Sequence, residues 1–259
     1  MDIWNKADKL NKEYISLNLD TEVIDYEKYK LYSIVTSSTQ LEGSTLNEID
    51  TQILLDEGLA AAGKPLEHHL MVKDNYEAIK YAIAMAKEKA LLSPELLKKL
   101  NSLNMANTGQ VVNSVRGTID GRTGNFRLVS AFSEALGYYL DAPKIQDAVN
   151  DFCTEFNSKI QSNDSIELLK TSFDANAKLV IIHPWQDGNK RTSRLVMNFI
   201  QQRSNLPLTK IDKENAVEYI TNLKIAKETR NLEPFRIFMV QQHIKNVQKE
   251  IDRYQQRNQ

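Results

Sequence analysis

One run of twelve residues carries most of the chemistry in this chain: His183-Pro184-Trp185-Gln186-Asp187-Gly188-Asn189-Lys190-Arg191-Thr192-Ser193-Arg194. It brings together an imidazole, a carboxylate, an amide, a turn glycine and a set of cations. Pro184 disfavours helical backbone at His183, so a preceding helix should end there. Gly188 permits a tight or left-handed turn. Asn189 reads as an N-cap, and Leu195, Val196, Phe199 and Ile200 recur after it at helical spacing. The run is therefore a helix end, a loop and a helix N-terminus, whose free N–H groups form an anion site. Arg191 and Arg194, three apart, share a helix face and can grip phosphates together. Asp187 stands at the mouth, where a carboxylate can hold Mg²⁺ against phosphate oxygens. His183 lies across the loop, and histidine is the usual general base near neutral pH. Together these features imply a site for a nucleoside triphosphate with a metal ion.

A second constellation lies near the N-terminus, Ser37-Ser38-Thr39-Gln40-Leu41-Glu42-Gly43. Ser38 and Glu42 are four apart and share a helix face. Gly43 can serve as the C-cap. A glutamate in a last helical turn opposes the helix dipole and needs solvent or a cation; Arg194 is the candidate.

Helices must position these groups. Nine glycines and six prolines are few for 259 residues, and long windows show helical periodicity. Helices are expected from Asp25 to about Leu41, with Leu31, Ile34 and Val35 on its stripe, and from Thr45 to Leu59, capped by Ser44 or Thr45, with Ile49, Ile53 and Leu54 inward. Others should run from Asp74 to Leu92, from Ser93-Pro94 to about Met105, from Ile145 to about Asn157, from Asp164 to Ile182, from Asp212 to Lys227 and from Pro234 to about Gln255. The stretch Val111 to Leu140 breaks the habit, with four of the nine glycines. There, Asn125 to Val129 and Ala135 to Tyr139 read either as two strands of a hairpin or as an irregular loop.

Composition narrows the class. Apolar residues make up 41% and charged residues 26%, and the formal net charge is −1, which fits a soluble globular protein and argues against a general nucleic-acid binder. The single cysteine, Cys153, excludes an internal disulfide, suits a reducing cytoplasm and reads as a buried thiol on a helix face. No apolar run approaches the roughly 20 residues that span a bilayer, and the N-terminus lacks a signal-peptide core. His68-His69 is a poor metal pair because adjacent residues do not face one site on a helix, and His243 reads as structural or exposed. The tail from Asn246 to Gln259 could pack on the core or on a second subunit, which leaves a homo-oligomer open.

The twelve-residue run resembles the signature of the Fic (Fic/Doc) family, His-Pro-Phe-x-Asp/Glu-Gly-Asn-Gly/Lys-Arg-x-x-Arg. His183, Pro184, Asp187, Gly188, Asn189, Arg191 and Arg194 match it. Trp185 replaces one aromatic with another, and Lys190 stands where adenylylating members mostly carry glycine. The resemblance implies an all-α Fic-fold bundle with a small β-hairpin flap. It implies an N-terminal helical region (1–69) with an inhibitory helix at about 25–43, a core (70–243) and a helical tail (244–259). It further implies transfer of AMP from ATP, with Mg²⁺, to a Ser, Thr or Tyr hydroxyl of a target protein. His183 would be the base and Asp187 the metal ligand. Gly188, Asn189 and Lys190 would line an anion hole with backbone N–H groups, with Asn189 adding its amide. Arg191 and Arg194 would take the β- and γ-phosphates. The run Gly121 to Phe126 leads into the flap, so Asn125, Phe126, Arg127 and Leu128 would dock the target by strand addition. Ser38 and Glu42 resemble the family's inhibitory motif, in which the glutamate pairs with the second signature arginine. Tyr219 falls where the family places a residue near the adenine. Lys190 keeps a Doc-like kinase or another nucleotidyl transfer in view, alongside removal of AMP and a catalytically silent regulatory module.

Overall fold

The computed structural model describes residues 2–17 and 26–257. Among them are ten α-helices and two short antiparallel hairpins, as the all-α reading expects. In chain order these are α1 (Ile3–Ser16), α2 (Tyr26–Gln40), α3 (Glu48–Glu57), α4 (Leu66–Lys87), α5 (Pro94–Asn104), β1 (Val111–Ser114), β2 (Gly117–Asp120), β3 (Phe132–Ser133), β4 (Gly137–Tyr138), α6 (Ile145–Lys159), α7 (Ser165–Ile182), α8 (Asn189–Arg203), α9 (Ala216–Thr229) and α10 (Glu233–Arg257). Asp25, where the periodicity starts the second helix, lies outside the described residues, as do the last two residues of the tail.

Helix α8 forms the axis of the molecule: every residue from Arg191 to Gln201 is buried. Its apolar side chains feed three packed clusters. Met197 joins Phe173, Val180, Tyr219, Phe235 and Phe238 from α7, α9 and α10. Val196, Phe199 and Ile200 join Leu97, Leu100, Phe152 and Phe156 from α5 and α6. Leu195 joins Val35, Leu54, Val72 and Ile79 from α2, α3 and α4. Burying each such side chain contributes roughly 1.5–3 kcal/mol, so the helix that starts at the signature loop is held from three sides. Polar α8 residues pair inside the core, as Asn198 and Gln201 do with Thr209.

Local chemistry sets the ends. Ser93 accepts from the Leu96 N–H, with Pro94 in the first turn of α5, and Asp164 accepts from the N–H groups of Ile166 and Glu167 at α7. Three expectations shift. Helix α3 is capped by Asn47, in a reciprocal capping box with Asp50. This turns Ile49 and Ile53 to solvent and buries Thr51 with Leu54. Helix α4 begins at Leu66, a full two turns before Asp74, so His68 and His69 lie in its first turn; His69 accepts from the Ala61 N–H and His68 from the Thr45 N–H. Helix α1 carries a signal that the periodicity reading passes over, Trp4, Ala7, Leu10 and Asn11 on one buried face. Leu10 packs with Val247 and Ile251, and α10 runs unbroken through residues 243 and 244.

The glycine-rich stretch differs most. Its main hairpin is β1–β2, registered Val111 to Asp120 and Ser114 to Gly117. A second, β3–β4, pairs Phe132 with Tyr138 and Ser133 with Gly137. Residues 125–129, read as either a strand or an irregular loop, have no strand partner; the Arg127 N–H bonds the Pro184 carbonyl instead. Burial pushes the Cys153 thiol up to about 12, with the charge of Glu95 acting in the same direction, which leaves it inert as expected.

Two histidines, one buried and one half-buried, give the fold an acid sensitivity. His243 is fully buried between Thr209 Oγ1 and Asn11 Oδ1, each at 2.7 Å. Burial, aided by Lys30, pushes it down to about 3; His183 is likewise pushed down to about 3. Between the ordinary histidine value of about 6.5 and about 3, the unfolded chain binds protons that the folded chain refuses. Stability is therefore full above about pH 6.5 and falls as the pH drops through that window. Chemical denaturation between pH 7 and pH 5 should show this decline, and His243→Gln should reduce its slope to about half.

Candidate active site

The loop between α7 and α8 is tied at both ends. His183 ends α7 in left-handed geometry, φ 55°, and Gly188 takes φ 77° as the N-cap of α8. A Cβ on Gly188 would sit 2.7 Å from Met105 Sδ and 2.9 Å from Asn101 Nδ2, so both conformation and space require glycine. Asn189, expected as the N-cap, is instead the first helical residue. Its amide closes the loop: Oδ1 accepts from the Trp185 N–H at 2.9 Å and Nδ2 donates to the Trp185 carbonyl at 2.8 Å. That amide is therefore committed to the loop and is not free to line an anion hole. Trp185 is buried, and its Nε1 donates to the Gly124 carbonyl at 2.9 Å. A phenylalanine could not make that bond, so the tryptophan ties the loop to the glycine-rich stretch.

The cations lie at the start of α8. Arg191 and Arg194 side chains are each 5% exposed. Arg191 Nη2 lies 3.2 Å from Met105 Sδ and 3.7 Å from Asp187 Oδ2. Arg194 donates from Nε to Ser38 Oγ at 3.0 Å, and from Nη2 to the Ser38 carbonyl and to Glu42 Oε1, both at 2.9 Å. The Nη1 atoms of both arginines are buried without partners, and an unpaired buried donor calls for an acceptor.

Glu42 is in the turn that follows α2, with Gly43 at φ 96° behind it. Its other oxygen meets Lys190 Nζ at 2.9 Å. Burial alone would raise the Glu42 carboxyl, but Arg194 and Lys190 outweigh burial and hold it below the usual range. The sequence anticipates the Arg194 contact; it gives no local signal for the Lys190 contact, which spans 148 positions.

His183 is kept neutral. Burial is the main cause, the Arg127 charge adds to it, and Lys190 and Lys227 contribute; the Val180 carbonyl opposes them. The ring stacks on Tyr139, with centroids 3.7 Å apart and planes 16° apart. Asp187 is exposed, with a 71% accessible side chain, and its Oδ1 accepts from the Gly188 N–H at 2.5 Å.

Two sequence assignments change character. Arg127, expected on a docking strand, is buried. Its Nε donates to the His183 carbonyl at 2.8 Å, Nη1 to Val129 O at 2.6 Å and Nη2 to Leu140 O. It is an anchor that joins both ends of the β3–β4 segment to the loop. Phe126 also turns inward, 6.0 Å from the Trp185 ring, whereas Asn125 and Leu128 face outward. Tyr219 is 1% exposed, bonds Asn176 Oδ1 at 2.9 Å and packs on Phe235 and Phe238. Its ring belongs to the core and presents no surface to a base.

Residues 91–201, which carry this loop, match the family model of the Fic/DOC family. The chain is 28% identical over 228 residues to protein adenylyltransferase fic-1 of Caenorhabditis elegans, spanning 87% of this chain and 42% of that protein. It is 26% identical over 240 residues to protein adenylyltransferase Fic of Culex quinquefasciatus, spanning 91% and 45%. The chain thus spans less than half the length of these relatives. A Fic-domain-containing signalling protein from Bacteroides thetaiotaomicron superposes with a TM-score of 0.82 at 17% identity, over 96% of this chain and 97% of that one. Fic-1 (residues 134–508) from C. elegans superposes with 0.80 at 22% identity, over 98% and 72%. The architecture is the Fic fold, and the match to the Fic/DOC family model covers residues 91–201.

The anchoring role of Arg127 has a direct consequence. Arg127→Ala should lower unfolding free energy by more than about 2 kcal/mol, because three carbonyls lose a charged donor. Leu128→Ala, at an exposed neighbour, should stay within about 0.5 kcal/mol. Denaturant titration of the unliganded protein measures both.

Proposed function

We propose that this Fic/DOC-family chain is a protein adenylyltransferase, restrained at rest by Glu42. The observation that carries the reading is the convergence, at one helix N-terminus, of two arginines with unpaired buried Nη1 atoms, a lysine and a neutral histidine. A helix N-terminus and clustered cations suit a polyphosphate. The relatives named protein adenylyltransferases supply the reaction class.

In this reading His183 accepts the proton of a Ser, Thr or Tyr hydroxyl on the target. The hydroxyl oxygen bonds to the α-phosphorus of ATP, the bond from that phosphorus to the bridging oxygen breaks, and pyrophosphate leaves. The backbone N–H groups of Asn189 and Lys190 would line the anion hole, joined by that of Gly188 once Asp187 Oδ1 releases it. Arg191 would neutralise the β-phosphate and Arg194 the γ-phosphate. Asp187 is an exposed carboxylate, bonded by the Gly188 N–H and 3.7 Å from Arg191, and its exposure suits Mg²⁺, a cation that usually takes one or two carboxylates plus substrate phosphates. No cluster of three or more metal-binding side chains occurs among the described residues, consistent with a metal that arrives with the nucleotide. Mg²⁺, when bound, would neutralise charge on the phosphates. Asn125 and Leu128 are the outward residues beside the site and would meet the target. Residues 1–69 would be regulatory and residues 70–243 catalytic.

Rest and activity would differ in what occupies Arg194. With Glu42 in place, both the carboxylate and its negative field oppose a terminal phosphate. Intact-mass analysis with ATP and Mg²⁺ should show an adenylyl gain on Glu42→Gly at a rate on the order of ten-fold or more above wild type, the equivalent of about 1.4 kcal/mol. His183→Ala in that background should abolish it. In an Arg194→Ala background the Glu42→Gly gain should shrink sharply, since the masked cation is gone. A phosphate gain would mean a kinase instead, and an equal Glu42→Gly effect without Arg194 would remove the proposed switch.

The metal assignment has its own test. Calorimetric titration of ATP should show tighter binding with Mg²⁺ than without it in the wild type, and Asp187→Ala should lose that difference. Undiminished metal dependence in the variant would rule Asp187 out as the ligand.

A further inference from the structure

A general base needs its ring held, and the usual device is an acceptor on the second imidazole nitrogen. His183 lacks one. Its Nδ1 is buried without an aligned hydrogen bond, although the Val180 carbonyl comes near the ring. The backbone at His183 is fixed, by the left-handed end of α7 and by Arg127 on its carbonyl. The ring itself must be fixed by something else.

The contact in position to do so comes from the other side of the site. Tyr139, just after β4, lies almost parallel to the imidazole at 3.7 Å. Tyr139 is itself restrained at several points. Its N–H bonds the Ala131 carbonyl at 3.0 Å, and its hydroxyl lies 2.9 Å from Ser133 Oγ. Lys227 of α9 has its Nζ 4.6 Å from the centre of the tyrosine ring. The same Nζ donates to the Leu136 carbonyl at 2.5 Å and to the Tyr138 carbonyl. One lysine from α9 thus holds both the β3–β4 turn and the ring that covers the histidine.

We propose that Tyr139 is a positioning residue for His183, setting the plane of its ring by stacking, with Lys227 holding Tyr139 in place. The inference rests on His183 being the base of the proposed reaction. A stacked face leaves the edge of the imidazole open, so Nε2 can meet a hydroxyl while the ring cannot rotate. The stack also keeps water from one face of the ring. The groups that face His183 are Arg127 from the segment after β2, Lys190 from α8, Lys227 from α9 and Tyr139 from the flap. Three of the four are cations, so a ring that stays in this place stays neutral and able to accept a proton.

The test uses Tyr139→Leu, which keeps apolar bulk and removes the stack, and Tyr139→Phe, which keeps the stack and removes the hydroxyl. The first readout is NMR titration of the four histidine rings, with His183 assigned by its absence in His183→Gln. In wild type and Tyr139→Phe, His183 should not titrate between pH 8 and pH 5.5; in Tyr139→Leu its midpoint should rise into that range. The second readout is auto-modification in the Glu42→Gly background. Tyr139→Leu should lower kcat by on the order of ten-fold with KM for ATP within about two-fold, and Tyr139→Phe should restore the rate. The proposal is overturned if Tyr139→Leu leaves titration and kcat unchanged, or if Tyr139→Phe is as impaired as Tyr139→Leu. Should the Glu42→Gly protein modify nothing, the adenylyl-transfer reading fails, and the titration still decides whether Tyr139 holds the ring. A Tyr139→Leu protein that does not fold leaves the Phe comparison to decide: normal rate and a silent His183 support the stack, and a loss of either refutes it.

Discussion

Arg194 cannot be buried at the root of α8 without an anion. Taking a guanidinium out of water costs several kcal/mol, and leaving it unpaired would destabilise the helix on which all three apolar clusters converge. Glu42 meets that need from the end of α2, and Ser38, one turn earlier, supplies two further acceptors. The carboxylate has the same difficulty in reverse. Burial penalises its charge, and only the sum of Arg194 and Lys190 holds it ionised. Neither side is stable alone, so the end of α2 and the start of α8 are locked together by mutual necessity. The turn at Gly43 must then place Glu42 within reach.

The same economy of contacts governs the loop. Two residues in it, His183 and Gly188, carry positive φ, a conformation that costs a non-glycine residue of order 1 kcal/mol or more. The strain is held by bonds that each serve two elements. Asn189 ties the loop to itself through Trp185, Trp185 ties it to Gly124, and Arg127 ties His183 to Val129 and Leu140. The buried cations, the neutral imidazole and the helix N-terminus therefore sit in a frame fixed before any ligand arrives. Electrostatic stabilisation of a reacting phosphate depends on such fixed groups.

Sequence made the twelve-residue run legible because its groups are contiguous, so chain geometry alone brings them together. Helix positions were legible for a similar reason: periodicity and caps such as Ser93 and Asp164 are local. The losses have physical causes. Three acceptable caps stand near the start of α3, and choosing Ser44 or Thr45 over Asn47 rotates the helix and puts Ile49 on the wrong side. In the glycine-rich stretch, Val111-Val112 and Thr118-Ile119 flank a turn and carry a strand signal at least as strong as Asn125 to Val129. Arg127 reads as a docking residue in the sequence because its partners, three carbonyls, leave no trace there. The Tyr139 stack and the Lys190 contact join segments far apart in the chain, and Tyr219 could be placed in the core only once α9 and α10 had been packed.

Lys190 bears on how a carboxylate could restrain a phosphate site without closing it. With glycine at that position, Glu42 would balance a single buried guanidinium. Here the three cations Lys190, Arg191 and Arg194 face two carboxylates, Glu42 and Asp187, with His183 neutral. These five groups thus sum to one positive charge, with Arg127 and Lys227 adding theirs beside His183, so the site should attract a polyphosphate. Under the proposed reaction, restraint would act on how the nucleotide seats rather than on whether it enters. A terminal phosphate carries up to two negative charges against the one of the carboxylate it displaces, and it would face the same two cations that hold Glu42. Exchange of one anion for the other would conserve the pairing of Arg194 and require Glu42 to move away from it. The lysine would then strengthen both the resting and the loaded states, and only the difference between those two gains would set the balance between them.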